Sequence, residues 1–183
     1  FVAEETGTKR TDNGCLGLLA EASLAELPDP EILLVPGGVG QRALMEEGPV
    51  HEWLRAAHEQ TTWTTSVCTG SLILAAAGLL EGRRATSHWL AMEELGSLGV
   101  EAVSERVVFD GKIVTAAGVS AGIDMALELV ARIGGEDLAR AIQLGIEYDP
   151  QPPFDSGSPA RAPEAIVRML RERARFASGD PRR

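Results

Sequence analysis

Thr64-Thr65-Ser66-Val67-Cys68-Thr69-Gly70-Ser71 is the stretch on which the reading of this chain turns. Just before its end, Thr61 to Val67 is rich in β-branched residues and carries Trp63, which predicts a buried strand. Just after, Gly70 to Leu80 has apolar and small residues at helical spacing and predicts a helix, stopped by Gly82. Cys68 stands at the join. A nucleophile on a sharp strand-to-helix turn needs small neighbours, because bulky side chains clash in the strained backbone. Ser66 and Gly70, two residues to either side, meet that need. The amides and positive dipole end of the following helix would favour a thiolate. A buried structural cysteine is the competing reading, and the spacing leaves both open.

Upstream, Phe1 to Glu4 predicts a short strand, and Thr6 to Gly14 a turn-rich segment with Gly7 and Asn13-Gly14 as signals. Cys15 reads as a small core residue. Leu16 to Leu27 alternates weakly and leads to a Pro28-Asp29-Pro30 loop. Glu31 to Val35 is an apolar run stopped by Pro36-Gly37-Gly38, the pattern of a strand buried on both faces of a parallel sheet. The loop Pro36 to Gly40 is either a plain tight turn or a source of amide donors for a developing negative charge. Ala43 to Glu47 predicts a short helical piece. Pro49 to Gln60 predicts a helix with Val50, Trp53, Leu54 and Ala57 on one face and His51 and His58 on a solvated one.

Downstream, Arg83 to Trp89 reads as a short strand passing into a helix, with Ser87 as N-cap and Leu90 to Leu98 continuing it. Val103 to Phe109, Asp110-Gly111 and Lys112 to Ala116 predict a β-hairpin. Ala116 to Gly122 is a small-residue loop. Ile123, Ala126, Leu127, Val130 and Ile133 then mark a helix broken by Gly134-Gly135, and Glu136 to Tyr148 another. Asp149 to Pro163 holds five of the ten prolines and reads as a long loop. Glu164 to Phe176 closes with an amphipathic helix, Ile166, Met169 and Leu170 on its apolar side. The alternation predicts an α/β, doubly wound, mostly parallel sheet with helices on both faces. Ligands in such sheets bind beyond the carboxyl ends of the strands. Gly37-Gly38, Cys68-Thr69 and Gly118-Val119 lie at such ends, so these loops should share one pocket.

A length of 183 residues suits one domain with a good core. Acidic residues outnumber basic ones, 27 to 17, which argues against nucleic acid or an anionic membrane as partner. The basic cluster from Arg161 to Arg183 reads as a solvated helix face. Two cysteines, Cys15 and Cys68, without a Cys/His cluster predict no metal and no cofactor, and fit a reducing cytoplasm. No apolar run approaches the ~20 residues of a membrane span, and no signal peptide is visible. Phe1-Val2-Ala3 reads like a strand already under way.

At Ser66-Val67-Cys68-Thr69-Gly70-Ser71 and Ala85-Thr86-Ser87-His88-Trp89 the chain resembles the ThiJ/PfpI superfamily. Pro36-Gly37-Gly38, Gly118-Val119-Ser120-Ala121-Gly122-Ile123-Asp124, Glu147-Tyr148 and Pro152 to Pro159 extend the resemblance to its isocyanide hydratase branch and to the ligand-sensing domains of AraC-type regulators. The resemblance implies a flavodoxin-like sandwich of the class I glutamine amidotransferase type, a homodimer, and a small-molecule substrate. It implies Cys68 as nucleophile, Thr69 beside the reacting atom, Gly37 and Gly38 as substrate-binding and oxyanion positions, and Gly118 and Val119 at the pocket wall. The protease-like members carry His directly after the cysteine, where this chain has Thr69. The family's acidic partner follows a first strand, and the expectation is that residues 1–183 form one domain lacking that strand-helix unit, with 149–183 packed on it.

The implied reaction is hydration of an isocyanide to an N-formamide through a thioimidate on Cys68. The alternatives are a sensing domain of an AraC-type regulator, or another cysteine-dependent hydrolase or glyoxalase. The short ending after Pro163 leaves too little chain for a helix-turn-helix domain, which favours the enzyme. His88 is either a general base or a structural hydrogen-bonder. Asp124 reads as a dipole or packing residue, and Asp155 as a turn residue or a cap on a partner's pocket.

Overall fold

The computed structural model describes residues 1–11, 14–27 and 29–174. Asn13, Pro28 and the end of the expected last helix and basic tail lie outside the described residues. Near the start are β1 (Val2–Ala3), β2 (Gly7–Arg10), β3 (Gly17–Ala20) and β4 (Ala22–Ser23). β1 pairs with β4 in parallel, and β2 with β3 as an antiparallel hairpin. The turn-rich reading of Thr6 to Gly14 missed β2. Gly-Thr-Lys-Arg has no apolar alternation, so main-chain pairing alone defines that strand. Cys15, in the connection between β2 and β3, is exposed rather than in the core.

Then follow β5 (Ile32–Val35), α1 (Pro49–Gln60), β6 (Trp63–Val67), α2 (Gly70–Ala76), β7 (Arg84–Ala85), α3 (Met92–Ser97) and β8 (Glu101–Ala102). β9 (Val107–Asp110), β10 (Ile113–Ala116), α4 (Ala121–Gly134), α5 (Glu136–Gly145) and α6 (Glu164–Arg173) complete the chain. The main sheet has the order β5-β6-β10-β9, parallel except for β9, and β7 pairs with β8.

Helices cover both faces, because the strand alternation sends neighbours opposite ways. Ile113 packs with Leu33, Val35, Leu54, Leu72, Leu74 and Leu95 under α1, α2 and α3. Val114 and Ala116 pack on the other face with Ala121, Met125 and Leu129 of α4. β6 and β10 are thus covered twice. β5 is not: Leu33 and Val35 are buried, whereas Leu34 is 54% exposed. The expectation of burial on both faces fails for this strand, since α4 reaches only as far as β6 and β10.

Local chemistry moves several expected boundaries. α2 stops at Ala76, before the expected Leu80, because Gly78 adopts φ +78°. Its amide donates to Ala75 O at 2.8 Å and that of Leu79 to Leu74 O at 3.0 Å, a Schellman stop. The helical turn after β5 is a 3-10 segment at Val39–Leu44, earlier than expected. That segment covers one side of α1, so His51 is buried rather than solvated and its Nε2 bonds Leu44 O at 2.9 Å. His58 is half-buried, with Nδ1 2.8 Å from Thr64 Oγ1. The hairpin turn is Gly111-Lys112, one residue later than predicted, since Asp110 still pairs with Ile113. The Asp110 carboxylate accepts from Arg83 Nη1 at 3.1 Å and Arg84 N at 3.0 Å, which holds it in the ladder.

Candidate active site

β5, β6 and β10 end level with one another: Val35 faces Ser66, and Val67 faces Ala116. The three loops that follow therefore leave the same edge of the sheet. Cys68 opens the middle loop at φ +59°, a left-handed conformation that costs a non-glycine residue about 1–2 kcal/mol. Its backbone is held from several directions. The Cys68 amide donates to Ala116 O at 3.0 Å, and its carbonyl accepts from Ser71 Oγ at 3.1 Å and Ser87 Oγ at 3.0 Å. Hydrogen bonds worth about 0.5–1.5 kcal/mol each are enough to offset the strain. Ser87 is therefore no N-cap. That place falls to His88, whose Nδ1 accepts from Leu90 N at 3.3 Å ahead of a 3-10 turn, Trp89–Ala91.

Close packing fixes the loop that carries Gly37 and Gly38. A Cβ on Gly37 would stand 2.6 Å from Thr69 N and 2.8 Å from Cys68 Cβ. The Gly38 amide donates to Thr69 Oγ1 at 2.9 Å, and Gly38 O lies 3.3 Å from the same hydroxyl. Gly38 thus spends its amide on Thr69, and the groups bonding the sulfur are the Thr69 amide and hydroxyl.

The Cys68 thiol is half-buried, and burial pushes its pKa above the ordinary value. The Thr69 amide and hydroxyl pull it down, by less than burial raises it. The expectation that the helix end yields a ready thiolate is corrected here: partial desolvation outweighs the local donors.

Of the expected site residues, Cys68, Thr69, Gly37 and Gly38 pack together. A Cβ on Gly118 would lie 3.7 Å from His88 Cδ2. Val119 is 82% exposed, so it forms no pocket wall, because nothing in the described residues covers the turn into α4. Asp124 accepts from Tyr148 Oη at 3.1 Å and pairs with Arg106, a packing role that ties the end of α5 to α4. Asp155 pairs with Arg161 at 2.9 Å within the proline loop. Among the described residues, no cluster of His, Cys, Asp and Glu could hold a metal. Ser71 and Ser87 were missed. Ser71, three residues past Cys68, carries a local signal, whereas Ser87 arrives only through the fold.

One variant probes this site, and a pH series probes the half-buried histidines of the fold around it. Thr69→Val removes the acceptor of the Gly38 amide and a donor at the sulfur. It should cost about 1–3 kcal/mol in urea unfolding and raise the pH at which iodoacetamide labels Cys68, read by peptide mass spectrometry. An unchanged labelling profile would dismiss the Thr69 hydroxyl as a partner of the thiol. The second concerns His58 and His88, both lowered from 6.5: His58 by burial and then Lys112, His88 by burial. The unfolded chain binds more protons in the interval between the two values. Their stabilising effect is therefore full above about pH 6.5 and lost as pH falls through the folded values. Urea midpoints should drop between about pH 7 and pH 5.5, and His58→Gln should reduce that drop.

An α/β sheet with a cysteine on a strained turn past its central parallel strand defines a flavodoxin-like, cysteine-elbow domain. The sequence matches the DJ-1/PfpI family over residues 2–132, and the chain belongs to that family. It is 46% identical over 164 residues to the isonitrile hydratase of Pseudomonas putida, covering 90% of this chain and 72% of that protein. It is 33% identical over 142 residues to the HTH-type transcriptional regulator CdhR of Pseudomonas aeruginosa, of which it spans 41%. The crystal structure of a ThiJ/PfpI family protein from Pseudomonas syringae superposes with a TM-score of 0.91 at 37% identity, over 96% of this chain and 74% of that one. No described helix is long and apolar enough to cross a membrane.

Proposed function

We propose that this protein hydrates an isocyanide (isonitrile) to an N-formamide, with Cys68 as the covalent catalyst. The observation that carries the reading is Cys68 itself: a half-buried thiol on a strained elbow, in a chain 46% identical to an isonitrile hydratase. A raised thiol pKa suits this chemistry. Addition to the terminal carbon of R–N≡C needs both a sulfur and a proton, and a neutral thiol brings both. The S–C and C–H bonds form, giving the thioimidate R–N=CH–S–Cys68. Water then adds to that carbon as the nitrogen gains a proton. Collapse of R–NH–CH(OH)–S–Cys68 releases R–NH–CHO and returns the proton to sulfur. The Thr69 amide and hydroxyl stabilise negative charge on sulfur as the proton transfers. A carboxylic acid relaying the proton would add to the rate. His88 is assigned a structural role, since its Nδ1 is committed to Leu90 N.

The test is to incubate the full chain with an aryl isocyanide in ¹⁸O-labelled water. Labelled formamide, with a thioimidate adduct trapped on Cys68 by acid quench, is the expected result. Binding without formamide would instead favour a sensing domain, a reading supported by the 33% identity to an HTH-type transcriptional regulator. A homodimer belongs to the same proposal; Phe154 of the proline loop, 79% exposed, fits burial between copies. Light scattering measures it.

A further inference from the structure

Cys68 O accepts from two hydroxyls, Ser71 Oγ at 3.1 Å and Ser87 Oγ at 3.0 Å. A carbonyl oxygen has two lone pairs, and the two serines fill both. Ser71 is 0% and Ser87 1% exposed, so solvent cannot take over either bond. The two anchors have different origins. Ser71 stands in the first turn of α2, three residues past Cys68. Ser87 follows β7, which is fastened on both sides: Thr86 N donates to Thr115 Oγ1 and Val103 N to Ala85 O, each at 2.9 Å. One anchor is local and the other belongs to the sheet.

What they hold is one rigid unit. The Cys68 carbonyl and the Thr69 N–H belong to the same peptide, and no peptide among the described residues is cis. The two groups therefore point in opposite directions within one plane. Fixing the oxygen fixes the direction of the N–H. The Thr69 amide is one of the groups bonding the Cys68 sulfur. The same peptide carries the strain of the elbow. In the left-handed conformation a Cβ crowds the carbonyl oxygen that follows it, and Cys68 stands at φ +59°. A peptide free to turn would relieve that contact and carry the amide away from the sulfur. Two bonds accepted at the oxygen also polarise the peptide, which makes its N–H a stronger donor.

We propose that Ser71 and Ser87 are positioning residues for Cys68, acting on its sulfur through the Cys68–Thr69 peptide by aiming the Thr69 amide. Their effect on turnover rests on the hydratase reading; their effect on the sulfur does not. A role confined to packing predicts lost stability with an unaltered sulfur.

Ser87→Ala, Ser87→Thr and Ser71→Ala are compared with the unaltered full chain in two measurements. The first is the pH profile of iodoacetamide labelling, read by peptide mass spectrometry, which separates Cys68 from the exposed Cys15. The second is kcat and KM for an aryl isocyanide. Loss of either hydroxyl should raise the labelling midpoint by about 0.5 in pH or more, and Ser87→Thr, which keeps the hydroxyl, should restore it. kcat should fall about tenfold with KM held within about twofold. Unmoved midpoints in folded Ser87→Ala and Ser71→Ala overturn the proposal, whatever their urea midpoints. A Ser87→Thr profile equal to that of Ser87→Ala assigns the effect to packing and overturns it as well. Raised midpoints in a protein that turns over no isocyanide uphold the positioning role and refute the hydratase reading instead. If Ser87→Ala fails to fold, the labelling midpoint of Ser71→Ala decides.

Discussion

Cys68→Ala should abolish formamide production from an aryl isocyanide, by more than about a thousandfold, while leaving the protein folded. The size of the loss follows from the chemistry. Without sulfur there is no covalent intermediate, and the two-step route through a thioimidate is closed. The fold should tolerate the change because Cys68 contributes to the elbow through its backbone: its amide and carbonyl hold Ala116, Ser71 and Ser87. The urea midpoint should therefore shift by less than about 1 kcal/mol equivalent. Cys68→Gly adds a check. Glycine takes φ +59° without steric cost, a gain of about 1–2 kcal/mol that its greater unfolded-state freedom partly cancels. That variant should be inactive and no less stable than Cys68→Ala. Turnover in either variant within tenfold of the parent would remove Cys68 from the mechanism.

Gly70→Ala should cost about 3 kcal/mol or more, or prevent folding altogether. The added Cβ would stand 2.1 Å from Val35 O, 2.9 Å from Val35 C and 3.0 Å from Pro36 C. These are backbone atoms of β5 and its following loop, which cannot swing aside as a side chain could. Alanine is intrinsically the better helix former by about 1 kcal/mol, so propensity alone predicts stabilisation, and the contact must overcome it. Gly145→Ala is the control: it lies at the end of α5 with nothing within 4 Å of its Cβ position. That variant should gain a few tenths to about 1 kcal/mol. Urea unfolding of both variants separates crowding from propensity. A mild Gly70→Ala phenotype would mean that β5 and α2 are not packed at the elbow as described.

Much of this was legible in the sequence. The β-branched run ending in Val67 and the small residues around Cys68 announced a strand, a sharp turn and a helix. The helix Pro49–Gln60 was placed to the residue by Pro49 at its start and its apolar face. These features are local, written within a few residues by propensity, period and steric need. The isonitrile hydratase likeness, too, rests on motifs visible in the chain.

Tertiary structure decided what depends on residues distant in sequence. Cys15 and His51 exchanged their expected environments because a hairpin connection exposes one and a 3-10 segment covers the other. Ser87 became a clamp on Cys68 O rather than a helix cap because β10 sets it across the sheet edge, where Thr86 N also finds Thr115 Oγ1 at 2.9 Å. Leu34, apolar like its neighbours, lies on a face that no described helix reaches. The sequence determined where a thiol could stand strained at the end of a strand. Desolvation by the surrounding fold pushes this thiol's pKa up, because burial is a sum over atoms brought from the whole chain and no local pattern encodes it.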